Sequence, residues 1–289
     1  MPEAHKKSGF VTLVGRSNVG KSTLLNSLIG TKLAIVTPKP QTTRRPVRGV
    51  LHDERGQMVF VDTPGMFLGK HDPVTMRLNE LAREQLDGID VAVYVVDPTR
   101  EPGSEEEHIQ TVLKALSTPK VVVMNKMDLP PHERPWTEAF RTLAIGHGAM
   151  LSVSAKTGDG LRLLVDHLFS LLPIGPGYYP DHQYTDVSHG QWLAELIREK
   201  VFLRLEQEVP YSIHVEVTED EQQKKGMQHI EAIIWTTDER YKRMIIGAQG
   251  QMIKRIGMDT RKELELVMDT KVYLALEVKV DPNWQQRFH

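Results

Sequence analysis

The chain has 289 residues, 40% hydrophobic and 26% charged, with a formal charge of −2 and no cysteine. That composition is globular, not disordered, and the length suggests about two domains. It excludes disulfides, thiolate metal sites and a thiol nucleophile, fits a reducing compartment, and gives no global electrostatic case for nucleic acid.

The N-terminal stretch carries no signal-peptide core, and no apolar run approaches the roughly 18–20 residues that cross a bilayer. A soluble or at most peripheral protein is therefore expected. The first apolar run, 10–14, leads straight into Gly15-Arg16-Ser17-Asn18-Val19-Gly20-Lys21-Ser22, followed by Thr23 at the start of a helical stretch. This is a complete phosphate-binding loop between strand and helix. Its glycines permit a tight backbone path, its N–H groups and helix N-terminus face an anion, Lys21 adds a cation near β/γ-phosphates, and Ser22 offers a hydroxyl to Mg²⁺.

Further apolar strands are predicted over 58–61, 91–96, 121–124 and 151–153, with helices over 21–29, 74–86, 104–116, 134–145 and 161–171. Ser104 and Glu107 have the spacing of a capping box. Residues 47–52 add a strand joined to 58–61 by a turn, so one pair is antiparallel. The alternation, with its phosphate-binding P-loop, predicts an α/β domain with a doubly wound, mostly parallel sheet.

Two more loops end on this sheet. Asp62-Thr63-Pro64-Gly65 follows one strand, where Asp62 can hold Mg²⁺ through water and the Gly65 N–H can meet a γ-phosphate. The polar segment 38–45 precedes it, and Thr43, favoured over Thr42, is expected to cap the metal. Asn125-Lys126-Met127-Asp128 follows strand 121–124; an aspartate there can accept from guanine N1–H and its 2-amino group, whereas adenine leaves it unpaired. Ser154-Ala155-Lys156 closes a later strand. Together these five elements resemble a GTPase of the translation-factor-related class, with Gly15 to Thr23, Asp62 to Met66, Asn125, Lys126, Asp128 and Ser154 to Lys156 at the nucleotide. Met66 stands where Ras-like GTPases carry a water-orienting glutamine, and a thioether cannot orient water. Gln57 or a partner is one substitute. The other is Asn18, which by resemblance to potassium-dependent relatives would help hold K⁺ as a fixed cation.

The proline- and glycine-rich run at 172–180 reads as a linker. The expected division is a GTPase domain 1–173, a linker 174–182 and a second domain 183–289. Beyond the linker the order is helix (189–208), strand (212–218), strand (228–237), short helix (240–246), helix (251–267) and strand (271–280). This α+β module places Gly247-Ala248-Gln249-Gly250 between two helices, as the Gly-x-x-Gly loop of a type II KH domain does. Between 240 and 262, Arg240, Lys242, Arg243, Lys254, Arg255, Arg261 and Lys262 face Asp259 alone, which reads as a phosphate track, with Ile246 and Ile253 lining a groove for bases. The twelve histidines show no pair with convincing metal-ligand spacing.

A GTPase followed by a type II KH domain, with Gln41-Thr42-Thr43-Arg44, Glu199-Lys200, Pro210-Tyr211-Ser212 and Ile246-Gly247 added to the loops above, resembles the Era family over nearly the whole chain. The resemblance implies slow GTP hydrolysis with Asn18, Lys21, Thr43 and Gly65 in catalytic roles, Mg²⁺ held by Ser22, Thr43 and Asp62, and binding of the 16S rRNA 3′ end during 30S assembly, with GTP favouring RNA binding and RNA stimulating hydrolysis. It further implies a cytoplasmic monomer with peripheral contact at the inner face of the plasma membrane. Three departures are visible: Ser17 replaces a usual proline, Ala248-Gln249 lacks a basic residue, and the sequence stops at His289, short of the usual final helix. The rival reading is an RNA-binding module whose nucleotide domain is only structural.

Overall fold

The computed structural model describes residues 6–39, 42–65, 73–206, 208–222 and 226–284. It divides into two compact units, one ending at Asp186 and the other beginning at Val187.

The first unit is a six-stranded sheet in the order β2-β3-β1-β4-β5-β6, formed by β1 (Lys7–Val14), β2 (Val47–Asp53), β3 (Gly56–Asp62), β4 (Val91–Val96), β5 (Lys120–Met124) and β6 (Ala149–Ser152). All neighbours are parallel except β2 and β3. The helices are α1 (Lys21–Ile29), α2 (Pro73–Glu84), α3 (Ser104–Ala115), α4 (Thr137–Leu143) and α5 (Leu161–Leu171). Strand β4 shows why the sheet is doubly wound. Val91, Val93 and Val95 pack on one face with α1 and α5 residues Leu24, Leu28, Leu164 and Leu168. Ala92, Tyr94 and Val96 pack on the other with Ile109, Leu113 and Phe140. A strand without polar alternation is stable only when covered on both sides. The loops between strand ends and helix starts thus gather along one sheet edge.

Several local expectations change. Helix α3 starts at Ser104 with Gly103 as its cap and no side-chain cap bond, so the expected Ser104–Glu107 capping box does not form: the serine lies one position inside the helix. A capping box does form at Ser188 and Gln191, before α6 (His189–Arg204). The expected helix 134–145 shortens to α4, preceded by a 3₁₀ turn over Pro131–Glu133.

The stretch expected as linker is tied to the first unit. The Gln57 Oε1 accepts from Tyr178 N (2.7 Å) and Tyr179 N (2.9 Å), and its Nε2 donates to Tyr179 O (2.8 Å). Further on, Val50 N donates to Tyr184 O (2.8 Å), and Gly49 pairs with Thr185. The reason is that β2 is a sheet edge with unpaired backbone groups, which this segment satisfies.

The second unit runs α6, β7 (Ile213–Gln222), β8 (Gln228–Thr236), α7 (Glu239–Ile246), α8 (Gln251–Met268) and β9 (Val272–Val280). Its sheet is β7-β8-β9, antiparallel then parallel, with a bulge between Val217 and Glu219. Ile197, Val201, Ile213, Val215, Ile234, Ile245, Ile256 and Val278 form its core, on the helix-covered face. Among the described residues no helix is long and apolar enough to cross a membrane.

Candidate functional site: a phosphate loop and a Gly-x-x-Gly groove

The phosphate loop links β1 to α1. Gly20 caps α1 at φ 98°, in the left-handed region, and a Cβ there would overlap the Asn125 amide. Lys21 is buried; its Nζ donates to Gly15 O (2.9 Å) and Arg16 O (2.8 Å). Burial pushes its ammonium down to about 8, against the opposing pull of Asp62 and Glu105. An ammonium held desolvated beneath a turn of N–H groups is ready for an anion.

Three oxygens from three separate elements meet beside it. Ser22 Oγ donates to Asp62 Oδ2 at 2.6 Å, Thr43 Oγ1 donates to the same oxygen at 3.3 Å, and the two hydroxyls are 3.1 Å apart. Thr42 points elsewhere, donating to Lys39 O at 2.7 Å. Asp62 is fully buried, and desolvation pushes its carboxyl up despite Lys21 and the two hydroxyls. Its Oδ1 has no hydrogen-bond partner. A buried carboxylate with an orphan oxygen beside two hydroxyls fits a small hard cation that takes oxygen ligands, as Mg²⁺ does. A cavity of about 390 Å³ adjoins the cluster, lined by Asn18, Lys21, Ser22, Thr23, Thr43 and Gly65 among others. Thr63 is anchored below, donating to Leu13 O at 2.8 Å. Pro64 and Gly65 are buried, and a Cβ on Gly65 would lie 2.9 Å from Ser17 N. Met66 lies outside the described residues.

Asn125 ties the loops together. Its Nδ2 donates to Val19 O at 2.9 Å and its Oδ1 accepts from Ala155 N at 2.9 Å. Ser154 Oγ donates to Asp128 Oδ1 at 2.7 Å, which fixes the carboxylate. Lys126, at φ 61°, pairs with the fully buried Asp97. Lys156 is exposed next to them. Asp97, whose Oδ1 also accepts from Thr99 N (3.0 Å), was not singled out from the sequence. Its position at the C-terminal end of β4, beside the other loops, is the signal that could have found it.

Two sequence readings need correction. The Arg16 side chain does not face the cavity: its Nε pairs with Glu106 Oε2 of α3 at 2.8 Å, and its NH1 donates to Glu101 O at 3.1 Å. Only its backbone lies in the loop. Gln57 does not substitute for a water-orienting glutamine. It sits at the opposite end of β3 from Asp62, with its amide spent on residues 178 and 179. Asn18, at φ 64°, donates through Nδ2 to Pro38 O at 2.6 Å, its one described hydrogen bond.

In the second unit, Gly247 ends α7 at φ 73° and Gly250 begins α8 at φ 72°, with Ala248 and Gln249 exposed between them. A Cβ on Gly247 would lie 2.7 Å from Met252 Cβ. Lys254 and Arg261 share a face of α8 with Ile253 and border a groove of about 350 Å³, closed by Leu274 and Leu276 of β9. Arg243 and Arg255 are exposed and Lys242 is half-buried near Glu239. Asp259, the one acidic residue of the stripe, is neutralised by Arg204 at 2.6 Å. Ile253 borders the groove, and both Ile253 and Ile246 are partly buried against the core of this unit.

These two constellations agree with the comparisons. Residues 10–126 match the family described as 50S ribosome-binding GTPase, and residues 208–285 match the KH domain. GTPase Era of Halothermothrix orenii is 41% identical over 97% of this chain and 95% of its own, and GTPase Era of Geobacter sp. (strain M21) is 41% identical over 98% and 96%. A crystal structure of Aquifex aeolicus Era bound to GDP and AlF₄⁻ superposes with a TM-score of 0.89 at 37% identity, covering 97% of this chain and 96% of that one. Era in complex with MgGDPNP and nucleotides 1506–1542 of 16S ribosomal RNA superposes at 0.90, also at 37% identity, covering 98% and 96%. With both family models matched and relatives at about 40% identity covered over nearly their whole length, the chain belongs to the GTPase Era family.

Proposed function

We propose that the protein is a slow GTP-hydrolysing switch that binds the 3′ end of 16S rRNA and assists 30S subunit assembly. One observation carries the reading: Thr43, from the segment before β2, and Asp62, at the end of β3, are both hydrogen-bonded to Ser22 of the phosphate loop. Both loops therefore share their contacts with whatever occupies the loop, and a γ-phosphate can order or release them together.

In this reading, Lys21 and the loop N–H groups hold the phosphates, Asp128 pairs with guanine, Asn125 braces the two nucleotide loops, and the Gly65 N–H meets the γ-phosphate. Ser22, Thr43 and Asp62 would hold Mg²⁺, which when bound neutralises charge developing on the phosphate oxygens. Water attacks the γ-phosphorus and GDP leaves. With Met66 unable to orient that water, turnover is slow and nucleotide state acts as a timer. Asn18 retains a carbonyl oxygen for K⁺, and equal turnover in sodium and potassium buffers would exclude that part.

The RNA half of the proposal is supported by the groove lined by Ile253, Lys254 and Arg261 of α8 and by the bound fragment in the related Era complex. Backbone N–H groups of the loop approach phosphates, Lys254 and Arg261 neutralise them, and Ile253 meets bases. The test is RNA capture with GDP against a non-cleavable GTP analogue, in the native chain and in Asp128→Asn. Capture should be stronger with the analogue in the native chain and lose its guanine-nucleotide dependence in the variant. Equal capture in both nucleotide states leaves only the rival reading, an RNA-binding module with a structural nucleotide domain.

A further inference from the structure

The face of the β7-β8-β9 sheet that turns away from the helices carries a cluster that neither nucleotide nor RNA binding uses. On β8, His229 and Glu231 are two residues apart, so both side chains project from that face. On β7, Glu219 stands directly opposite Glu231. Glu219 reaches this face because the bulge after Val217 adds one residue and re-aims the strand beyond it. The His229 ring lies between the carboxylates, its Nε2 3.3 Å from Glu231 Oε1 and its Nδ1 3.8 Å from Glu219 Oε1.

Two like charges directly across an antiparallel pair repel each other and destabilise the strands. Here they converge instead of diverging. One ligand atom from each of the three residues lies within 4.8 Å of the others, the one group of three or more His, Asp or Glu ligands with that closeness among the described residues. Ligands sharing a metal at about 2.0–2.2 Å stand some 3–3.6 Å apart, so small side-chain rotations complete the set. The ring is already oriented: Tyr273, its neighbour on β9, packs edge-on at 4.7 Å between centroids.

We propose that Glu219, His229 and Glu231 form a site for a divalent transition metal ion, of which Zn²⁺ and Co²⁺ are representative. One nitrogen and two carboxylates suit such ions better than Mg²⁺ or Ca²⁺, which favour all-oxygen shells. Three protein ligands leave coordination positions open to water or an incoming anion. The sequence conceals the set because Glu219 joins the other two only through strand pairing and a bulge.

The test uses the full chain saturated with GDP and Mg²⁺, so that the Ser22, Thr43 and Asp62 oxygens are occupied. Co²⁺ titration should show one saturable equivalent with a visible absorption band, which Zn²⁺ displaces. His229→Ala, Glu219→Gln and Glu231→Gln should each weaken uptake at least tenfold, whereas Glu277→Gln, on the same sheet face but outside the cluster, should leave it unchanged. The two glutamine variants keep size and shape, and circular dichroism confirms their fold. Absence of saturable uptake, or uptake unchanged in all three cluster variants, overturns the proposal.

Discussion

Arg16 of the phosphate loop and Glu106 of α3 form an ion pair at 2.8 Å with both side chains shut off from solvent. The first turn of α3 thereby holds the loop from behind. Burial pushes the Glu106 carboxyl up from 4.5 to about 7, a shift that Arg16 only partly offsets. The folded chain therefore keeps this proton more tightly than the unfolded chain does. Its contribution to stability is full below about pH 4.5 and is lost as pH rises through about 7. Denaturant unfolding at pH 5.5 and 7.5 should show the first unit losing stability with rising pH, by at most about 2 kcal/mol from this group. Glu106→Gln should remove that part of the slope, and an identical slope in the variant would contradict the assignment.

Chelation should act through Asp62. In the native chain, EDTA is expected to weaken GDP binding at least tenfold, or about 1.4 kcal/mol, because the phosphates lose a cation held by oxygens of three elements. In Asp62→Asn the affinity with Mg²⁺ should already be reduced and the further effect of EDTA small. Fluorescent GDP titrations with and without EDTA measure both. An EDTA effect of equal size in the two proteins would place the metal elsewhere.

Lys254 and Arg261 make a separable prediction about the groove. Each phosphate contact removed from a single strand should reduce the slope of log K against log salt by about 0.7. Lys254→Ala and Arg261→Ala should lower RNA affinity at low salt and flatten its salt dependence, while GDP binding stays unchanged. Fluorescence anisotropy over a salt series with a short single-stranded RNA reads this out. A parallel salt line of lower affinity would mean that the side chains shape the groove without touching phosphate.

What was legible in the sequence was local. The loop from Gly15 to Ser22 announces itself because backbone path, cation and hydroxyl all lie within a short run of chain, whereas Thr43 is only favoured over Thr42 by the sequence and is set apart by its contacts with Ser22 and Asp62. Strand β4 was legible because burial on both faces removes polar residues altogether. Contacts made at long range were not: nothing near Arg16 points to Glu106, and Asp97 has no motif of its own. The capping boxes show the same limit on a smaller scale. Ser104 and Ser188 have similar spacing to an acid or amide, and only the true start of each helix, decided by packing, separates the one that caps from the one that does not.

Gln57 carries the last prediction, and it turns on the difference between a linker and a strap. Its side chain is 4% exposed, and its amide meets two N–H groups and one carbonyl of residues 178 and 179. Gln57→Ala strips all three partners at once. Because Tyr178 is half exposed, water can replace some of them, so a cost of about 2 kcal/mol is expected. The Tyr178 and Tyr179 amides should then exchange with solvent at least tenfold faster. Gln57→Glu keeps the oxygen that accepts from both amides and loses the Nε2 contacts with Tyr179 O and, at 3.5 Å, His52 Nδ1, so both amides should stay largely protected. GDP affinity should be unaffected in both variants, since Gln57 and Asp62 occupy opposite ends of β3. Hydrogen exchange that leaves these two amides unchanged in Gln57→Ala would return the segment to the status of a free connection.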